Sequence, residues 1–181
     1  MKTWIRIYLS AAVLLGTLSV WADGFAVEKT KGGVTVKYDG KLFTRYVIGQ
    51  SNKPFLWPVI GPSGDEVTRA FPMEKREGER HDHPHHRSVW FGHQGTAGFD
   101  TWHEPASGRR TNLGSTVHRE FVKVKGGDTA VIVTRNDYVG DSKKLLADER
   151  THEFRVENGH RIIDVTIKFT AEHGDCKLSD Q

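Results

Sequence analysis

Apolar and polar side chains alternate with a period of two along most of this chain, and Gly-containing turns interrupt the alternation. That pattern admits little besides antiparallel β-structure. Phe25, Val27 and Lys29 face one way and Ala26, Glu28 and Thr30 the other, until Gly32-Gly33 turns the chain. Val34, Val36 and Tyr38 then share a face, with Thr35 and Lys37 opposite. Asp39-Gly40 is a type I′ hairpin signal, because both central positions of that turn need the positive φ that Asp and Gly tolerate. Leu42 to Val47 reads as the return strand of an N-terminal meander. The same logic predicts strands over Val117–Val124, Thr129–Thr134, Leu146–Val156 and Arg161–Thr170, turned at Gly126-Gly127 and Asn158-Gly159. His152, Phe154 and Val156 share one face of the third of these, and Ile163, Val165, Ile167 and Phe169 one face of the last. No stretch holds a 3.6-residue period over three turns, and Lys143–Glu149 is predicted to make one helical turn at most.

Between these two β-rich parts, Asn52–Pro72 carries Pro54, Pro58, Pro62 and Pro72, which argue against a helix and a central strand alike. Phe55, Leu56, Trp57, Val59 and Ile60 are still too apolar to expose, so the segment is predicted to lie extended over the sheet. Met73–Arg80 and Ser107–Asn112 read as solvated loops. Hairpins with one apolar face need a second layer, so the expected fold class is all-β, an antiparallel β-sandwich over residues 23–181.

Residues 1–22 are expected to be a signal peptide. Lys2 and Arg6 precede the uncharged apolar run Ile7–Val20, and Val20-Trp21-Ala22 has the small-residue pattern of a cleavage site. The run is shorter than the ~20 residues of a spanning helix. The processed chain is therefore expected to be exported (periplasmic, cell-surface or extracellular) with no membrane span. The leader removes Lys2 and Arg6 from 26 Lys+Arg against 23 Asp+Glu, which leaves the rest near neutrality. With no basic block besides, nucleic acid is not an expected partner. The single cysteine, Cys176, admits no internal disulfide, so stability must come from core packing.

The chemistry concentrates in His81–Glu104, which holds six of the ten histidines: His81, His83, His85, His86, His93 and His103. Trp90, Trp102, Asp82, Arg87, Asp100 and Glu104 lie among them. If residues 81–85 are extended, with Pro84 directing His83 away from the helical region, His81, His83 and His85 project from one face and His86 from the other. Such rings, joined by a ligand from His93, Asp100, His103 or Glu104, suit one divalent metal ion, with His83, His85 and His86 as candidate ligands. The stretch lacks His-Glu-x-x-His, so a zincin is not supported. His83-x-His85 lacks the glutamate a cupin places after it, and Asp23 rather than histidine would begin a processed chain, against a copper-brace oxygenase. Without metal, the same side chains serve acid–base work or ligand binding. A purely structural, hydrogen-bonded cluster is the plainer alternative. Trp90, Phe91 and Trp102, with Trp57, are the types that stack on sugar rings, although Val89-Trp90-Phe91 also fits a core strand. Asp82 with Asp100, or Asp100 with Glu104, is a candidate glycosidase carboxylate pair. Arg87 would bind an anion or pair with Asp82.

A resemblance enters on particular residues. Lys53-Pro54-Phe55-Leu56-Trp57-Pro58-Val59-Ile60-Gly61-Pro62-Ser63-Gly64, Val67-Thr68-Arg69-Ala70-Phe71-Pro72, Asp82-His83-Pro84-His85-His86-Arg87-Ser88-Val89-Trp90-Phe91-Gly92-His93 and Asp100-Thr101-Trp102 together resemble the secreted bacterial family labelled "methane oxygenase PmoA". The label names a membrane subunit with several spans, which this sequence does not resemble. The resemblance implies a secreted all-β domain, with a galactose-mutarotase-like supersandwich as its larger form, in bacteria rich in polysaccharide-degrading systems. It centres the site on Asp82–His93 with Asp100 and Trp102, leaving His81 and His103 as neighbours. Two departures stand out. Thr101 replaces the usual Phe of Asp-Phe-Trp, and members run on well beyond the segment matching Asp164–Gly174, so the chain is expected to be the N-terminal part of a longer domain.

The resulting expectation is an exported protein acting on or binding a carbohydrate or related polyhydroxy small molecule. His83 and His85 carry protons or hold metal, Asp100 and Glu104 are their carboxylate partners in catalysis, and Arg87, Trp90, His93 and Trp102 bind the ligand. A non-catalytic metal- or glycan-binding module is the alternative, and an oxygenase, as the family label states, is a third reading.

Overall fold

The structure is a computed structural model that describes residues 24–108 and 111–179. The signal-peptide reading of residues 1–22 lies outside the described residues. Among the described residues, nine strands form two antiparallel sheets. The first has the order β1 (Phe25–Thr30), β2 (Gly33–Tyr38), β3 (Lys41–Val47), β4 (Phe55–Val59) and β5 (Val89–Trp90). The second has the order β6 (Ser115–Lys125), β7 (Ala130–Gly140), β8 (Lys143–Glu157) and β9 (His160–Thr170). A short 3₁₀ turn covers Pro105–Ser107. The two sheets pack into the expected all-β sandwich, as the one-sided apolar patterning requires.

Inward residues of both sheets make one core. Phe25, Val34, Val36, Phe43, Tyr46, Leu56 and Val59 of the first sheet meet Ala130, Ile132 and Phe154 of the second. Phe43 and Phe154 join the layers edge to face, with ring centroids 5.7 Å apart. Both hairpin signals form as predicted. Asp39 and Gly40 turn at φ 47° and 74°, and Asn158 and Gly159 at 52° and 77°.

Two expectations are corrected. The prolines do not keep residues 55–59 out of the sheet, because β4 lies between β3 and β5. β5 pairs only with Phe55 and Leu56, so the missing N–H of Pro58 falls beyond that partner, and the register with β3 shifts between Thr44 and Tyr46. Pro58 thus occupies a half-free stretch of an interior strand. Nor does Lys143–Glu149 make a helical turn. It begins β8, joined to β7 by a hairpin in which Asp141 and Ser142 have φ 45° and 61°.

The missed end of β7 has a physical explanation. Its inward residues Asn136 and Tyr138 are buried and polar, and they meet Asp148 and Arg150, buried residues of β8 that lie within the predicted strand Leu146–Val156. Arg150 and Tyr138 both donate to Asp148 Oδ2, at 2.6 and 2.9 Å, and Asn136 Nδ2 donates to Asp148 Oδ1 at 2.6 Å. A buried ion pair that also takes hydrogen bonds from Tyr138 and Asn136 replaces the apolar alternation that would have marked the end of β7.

Candidate functional site

The site is built by three segments at the β4–β5 end of the first sheet: residues 51–53 before β4, 81–90 leading into β5, and 100–107 after it. The third segment is held by backbone contacts on both sides. Asp100 N donates to Asn112 O at 2.8 Å, Gly114 N donates to Asp100 O at 2.8 Å, and Thr101 N donates to His93 O at 2.9 Å. Gly92 is required by close approach, because a Cβ there would lie 2.6 Å from Thr101 O and 2.8 Å from Trp102 Cα.

Residues 83–86 are a turn and not an extended strand. His86 N donates to His83 O at 2.9 Å, and His83 has φ 48°. The alternate projection of His81, His83 and His85 therefore does not occur. Instead His83 stacks on His86 with centroids 4.9 Å apart, and His85 stands edge-on to His86 at 4.4 Å. His81 lies apart, stacked on Phe71 at 4.9 Å. Among the described residues no group of three or more His, Cys, Asp or Glu side chains is disposed to hold a metal ion. His83, His85 and His86 are adjacent, and His85 Nδ1 is bonded to Ser107 Oγ at 3.0 Å.

The carboxylates have other partners than those expected. Asp100 serves neither His83 nor His85. Its Oδ2 accepts from His103 Nδ1 at 2.8 Å, and its Oδ1 accepts from the backbone N–H groups of Trp102 and His103 at 2.9 and 3.0 Å. Burial raises the Asp100 carboxyl, but these bonds outweigh it and hold the group below the usual carboxylate range. An ionised Asp100 accepts only, so His103 donates to it through Nδ1. His103, placed among the neighbours by resemblance, is thus a central member. Its ring lies 4.4 Å from that of His85. Burial, with repulsion from His86, His103 and Lys53, lowers the His85 imidazole to about 4, so it is neutral near pH 7. His86 is lowered as well, mainly by burial and then by His83.

Glu104 is clamped. Arg87 donates to it through two nitrogens, at 2.7 and 2.8 Å, and Ser51 Oγ donates at 2.8 Å. Lys53 Nζ lies 3.4 Å from the same carboxylate, its side chain fully buried. Burial raises the Glu104 carboxyl, and Arg87, Lys53 and Ser51 together overcome that and lower it. Burial of the cation pushes Lys53 down to about 8 against the pull of Glu104. Lys53 also donates to Trp102 O at 2.8 Å and stands 4.7 Å over the Trp90 ring. Arg87 is therefore committed to Glu104 and does not pair with Asp82, whose partners are Arg69, Arg80 and His83. With Asp100 and Glu104 both lowered and both paired, neither is the carboxyl of raised pKa that a glycosidase acid needs.

Trp90 and Trp102 meet edge to face at 4.5 Å, and His86 lies 5.7 Å from Trp90 and 6.2 Å from Trp102. His93 stands outside this group. Its Nδ1 accepts from Gly95 N at 3.1 Å and its backbone is bonded to Thr101. Two cavities border the site. One of about 400 Å³ is lined by Phe55, Trp90, Phe91, Arg150, His152 and Ile167 among others. The other, about 350 Å³, reaches Ser51, Asn52, Lys53 and His118. Lys53, Asn52, Ser51 and Ser107 went unread in the sequence, where a Lys before an apolar run and scattered Ser and Asn carry no signal. The Asp100-x-x-His103 spacing is a local signal that could have found His103.

The fold and site define a two-sheet antiparallel β-sandwich with a loop-borne cluster of histidine and tryptophan braced by buried ion pairs. The chain belongs to DUF6807, a family of unknown function whose model matches residues 33–181. No curated protein and no solved structure matches it.

Proposed function

We propose that this protein binds, and acts by proton transfer on, a carbohydrate or related polyhydroxy ligand at the His85–His103–Trp102 cluster. The observation that carries the reading is the Asp100–His103 pair packed against a neutral His85. Asp100 fixes the His103 tautomer and leaves Nε2 as a base, the orientation logic of an Asp-His pair. Ser107 Oγ accepts from Glu104 N at 3.2 Å and keeps its own proton available to His85 Nδ1, and in that arrangement His85 Nε2 carries the N–H. One ring then accepts a proton beside another that donates one, with Trp102 and His86 as the adjoining flat surfaces. Exposed His83 and its partner Asp82 form the rim. The resemblance of Asp82–Arg87 to the secreted PmoA-labelled family supports an exported setting and a carbohydrate context, and the apolar run in residues 7–20 supports a leader.

The test is a binding and turnover screen of the purified protein against polysaccharides and their breakdown products, read by Trp fluorescence and product analysis. A ligand that perturbs the fluorescence is expected. For that ligand, His103→Gln should lower turnover about 10²–10⁴-fold with little change in binding. Asp100→Asn should act similarly by releasing the tautomer. Absence of any binder from a well-folded sample sinks the reading. A binder with no turnover would instead favour a second reading, a glycan-binding module, for which the absence of a carboxyl of raised pKa in the site already speaks.

A further inference from the structure

Ser107 stands at the end of a single 3₁₀ turn. Pro105 begins that turn, and Gly108 closes it at φ 91°. The turn leaves Ser107 half-buried between exposed Ala106 and exposed Gly108. Its Oγ is fixed from two sides, by Glu104 N at 3.2 Å and by His85 Nδ1 at 3.0 Å. His85 is held in turn by packing, with the rings of His86 and His103 each 4.4 Å away. His103 is bonded to Asp100 at 2.8 Å, so a hydroxyl, two imidazoles and a carboxylate follow one another by contact. Other hydroxyls of the site are spent on a carboxylate or a carbonyl: Ser51 donates to Glu104, and Thr101 to His93 O. Ser107 instead faces a nitrogen of a neutral ring, the pairing that activates a serine.

We infer that Ser107 is a nucleophile served by His85 as its base, and that the bond it breaks is a carboxylic ester on a hydroxyl of the ligand. The inference rests on the polyhydroxy-ligand reading for the alcohol half of that ester, and it names the bond acted on. Ser107 Oγ attacks the ester carbonyl as its proton passes to His85 Nδ1. The tetrahedral adduct then expels the ligand's hydroxyl oxygen, which takes that proton from His85. Water attacks the acyl-serine and gives a proton to His85, which returns it to Ser107 Oγ as the carboxylic acid leaves. The sum is ester and water to acid and alcohol, with water as the co-reactant. Gly108 N–H follows the nucleophile in the chain, and its bond to Pro105 O is long at 3.4 Å, which leaves it for the developing oxyanion. The space there is open, since a Cβ on Gly108 would meet nothing beyond its chain neighbours within 4 Å. Charge favours an acyl over a phosphoryl group, because Lys53 and Arg87 are engaged by Glu104 and neither is free to clamp a phosphate. An ester also asks less of a weakly basic imidazole than an amide, whose nitrogen must be protonated to leave.

A serine-directed fluorophosphonate probe, followed by peptide mass spectrometry, tests the inference on the unaltered protein. Label is expected on Ser107. Hydrolysis of p-nitrophenyl acetate and of an acetylated monosaccharide is expected as well. Ser107→Ala should fall to the uncatalysed rate, and His85→Gln should lower turnover about 10²–10⁴-fold. Circular dichroism and thermal melts confirm the fold of each variant, and the labelling itself needs no variant. Label on another residue overturns the inference, as does a protein that takes no label and hydrolyses neither ester. Hydrolysis that survives in Ser107→Ala overturns it too. Ester hydrolysis through Ser107 in a protein that binds no carbohydrate would remove the polyhydroxy-ligand reading and leave the serine its role. A carbohydrate turned over through His103, with Ser107→Ala fully active, does the reverse.

Discussion

His152 shows how burial alone sets the behaviour of a titratable side chain. It is buried between Tyr46 and Phe154, with ring centroids 5.2 and 6.4 Å away, and burial beside the Arg150 cation lowers it to about 3. His85 is lowered to about 4 by burial and its cationic neighbours. Each imidazole is neutral in the fold, yet protonates near 6.5 once the chain unfolds. Unfolding therefore takes up protons between those values, so stability is fully present above pH 6.5 and is lost as the pH falls toward 4 and below. Asp100 and Glu104, with folded values depressed, add losses of the same sign at lower pH, as the medium crosses the range where they protonate. Melting temperature measured against pH should thus fall steadily on acidification. His152→Phe, which keeps the ring, should flatten the slope between pH 6.5 and 4 by roughly 5 °C or more, and an unchanged slope would remove His152 as its cause.

At the scale of elements, the site depends on loops that are locked to strands. The Lys53–Glu104–Arg87 clamp ties the residues before β4 to those before β5 and after it. Glu104→Gln leaves the buried Lys53 cation without its counter-charge, which should cost about 3–5 kcal/mol in denaturant unfolding. Adding Lys53→Met removes the orphaned charge and should recover more than half of that loss, since an apolar isostere in a buried pair is often tolerated. No recovery would mean that the clamp acts through Arg87 alone. Gly92 sets the spacing between β5 and the Asp100–His103 segment. Gly92→Ala forces a Cβ against backbone atoms 2.6 and 2.8 Å away, so it should cost about 2 kcal/mol and shift the Trp102 and His103 resonances together. A neutral effect on both would show that the loop moves freely against the strand.

At the scale of the molecule, the two sheets are closed unequally. Where β1, β2 and β3 meet β7 and β8 the core is dense, with Phe43, Val36, Ile132 and Phe154 all at 0% exposure. Toward β5 and β9 the layers part around the cavity of about 400 Å³, and the apolar face of β9 is half open.

The local pattern of the chain was enough for the all-β class, the N-terminal meander, both Gly-containing hairpins and the stretch in which histidine, tryptophan and carboxylate side chains gather. These features depend on alternation and on φ preferences of single residues, which are written in neighbouring letters. The interior placement of β4, the polar end of β7 and the pairing inside the site were settled only by the fold. Pro58 is tolerated because β5 is short, Asn136 and Tyr138 are buried because Asp148 and Arg150 lie opposite, and Glu104 finds Lys53 from 51 residues away in sequence. Within His81–Glu104, the turn at His83–His86 and the bond from His103 to Asp100 each span three residues, whereas the packing of His85 against Ser107 and His103 and the pairing of Glu104 with Lys53 join separate segments, and no local spacing encodes those.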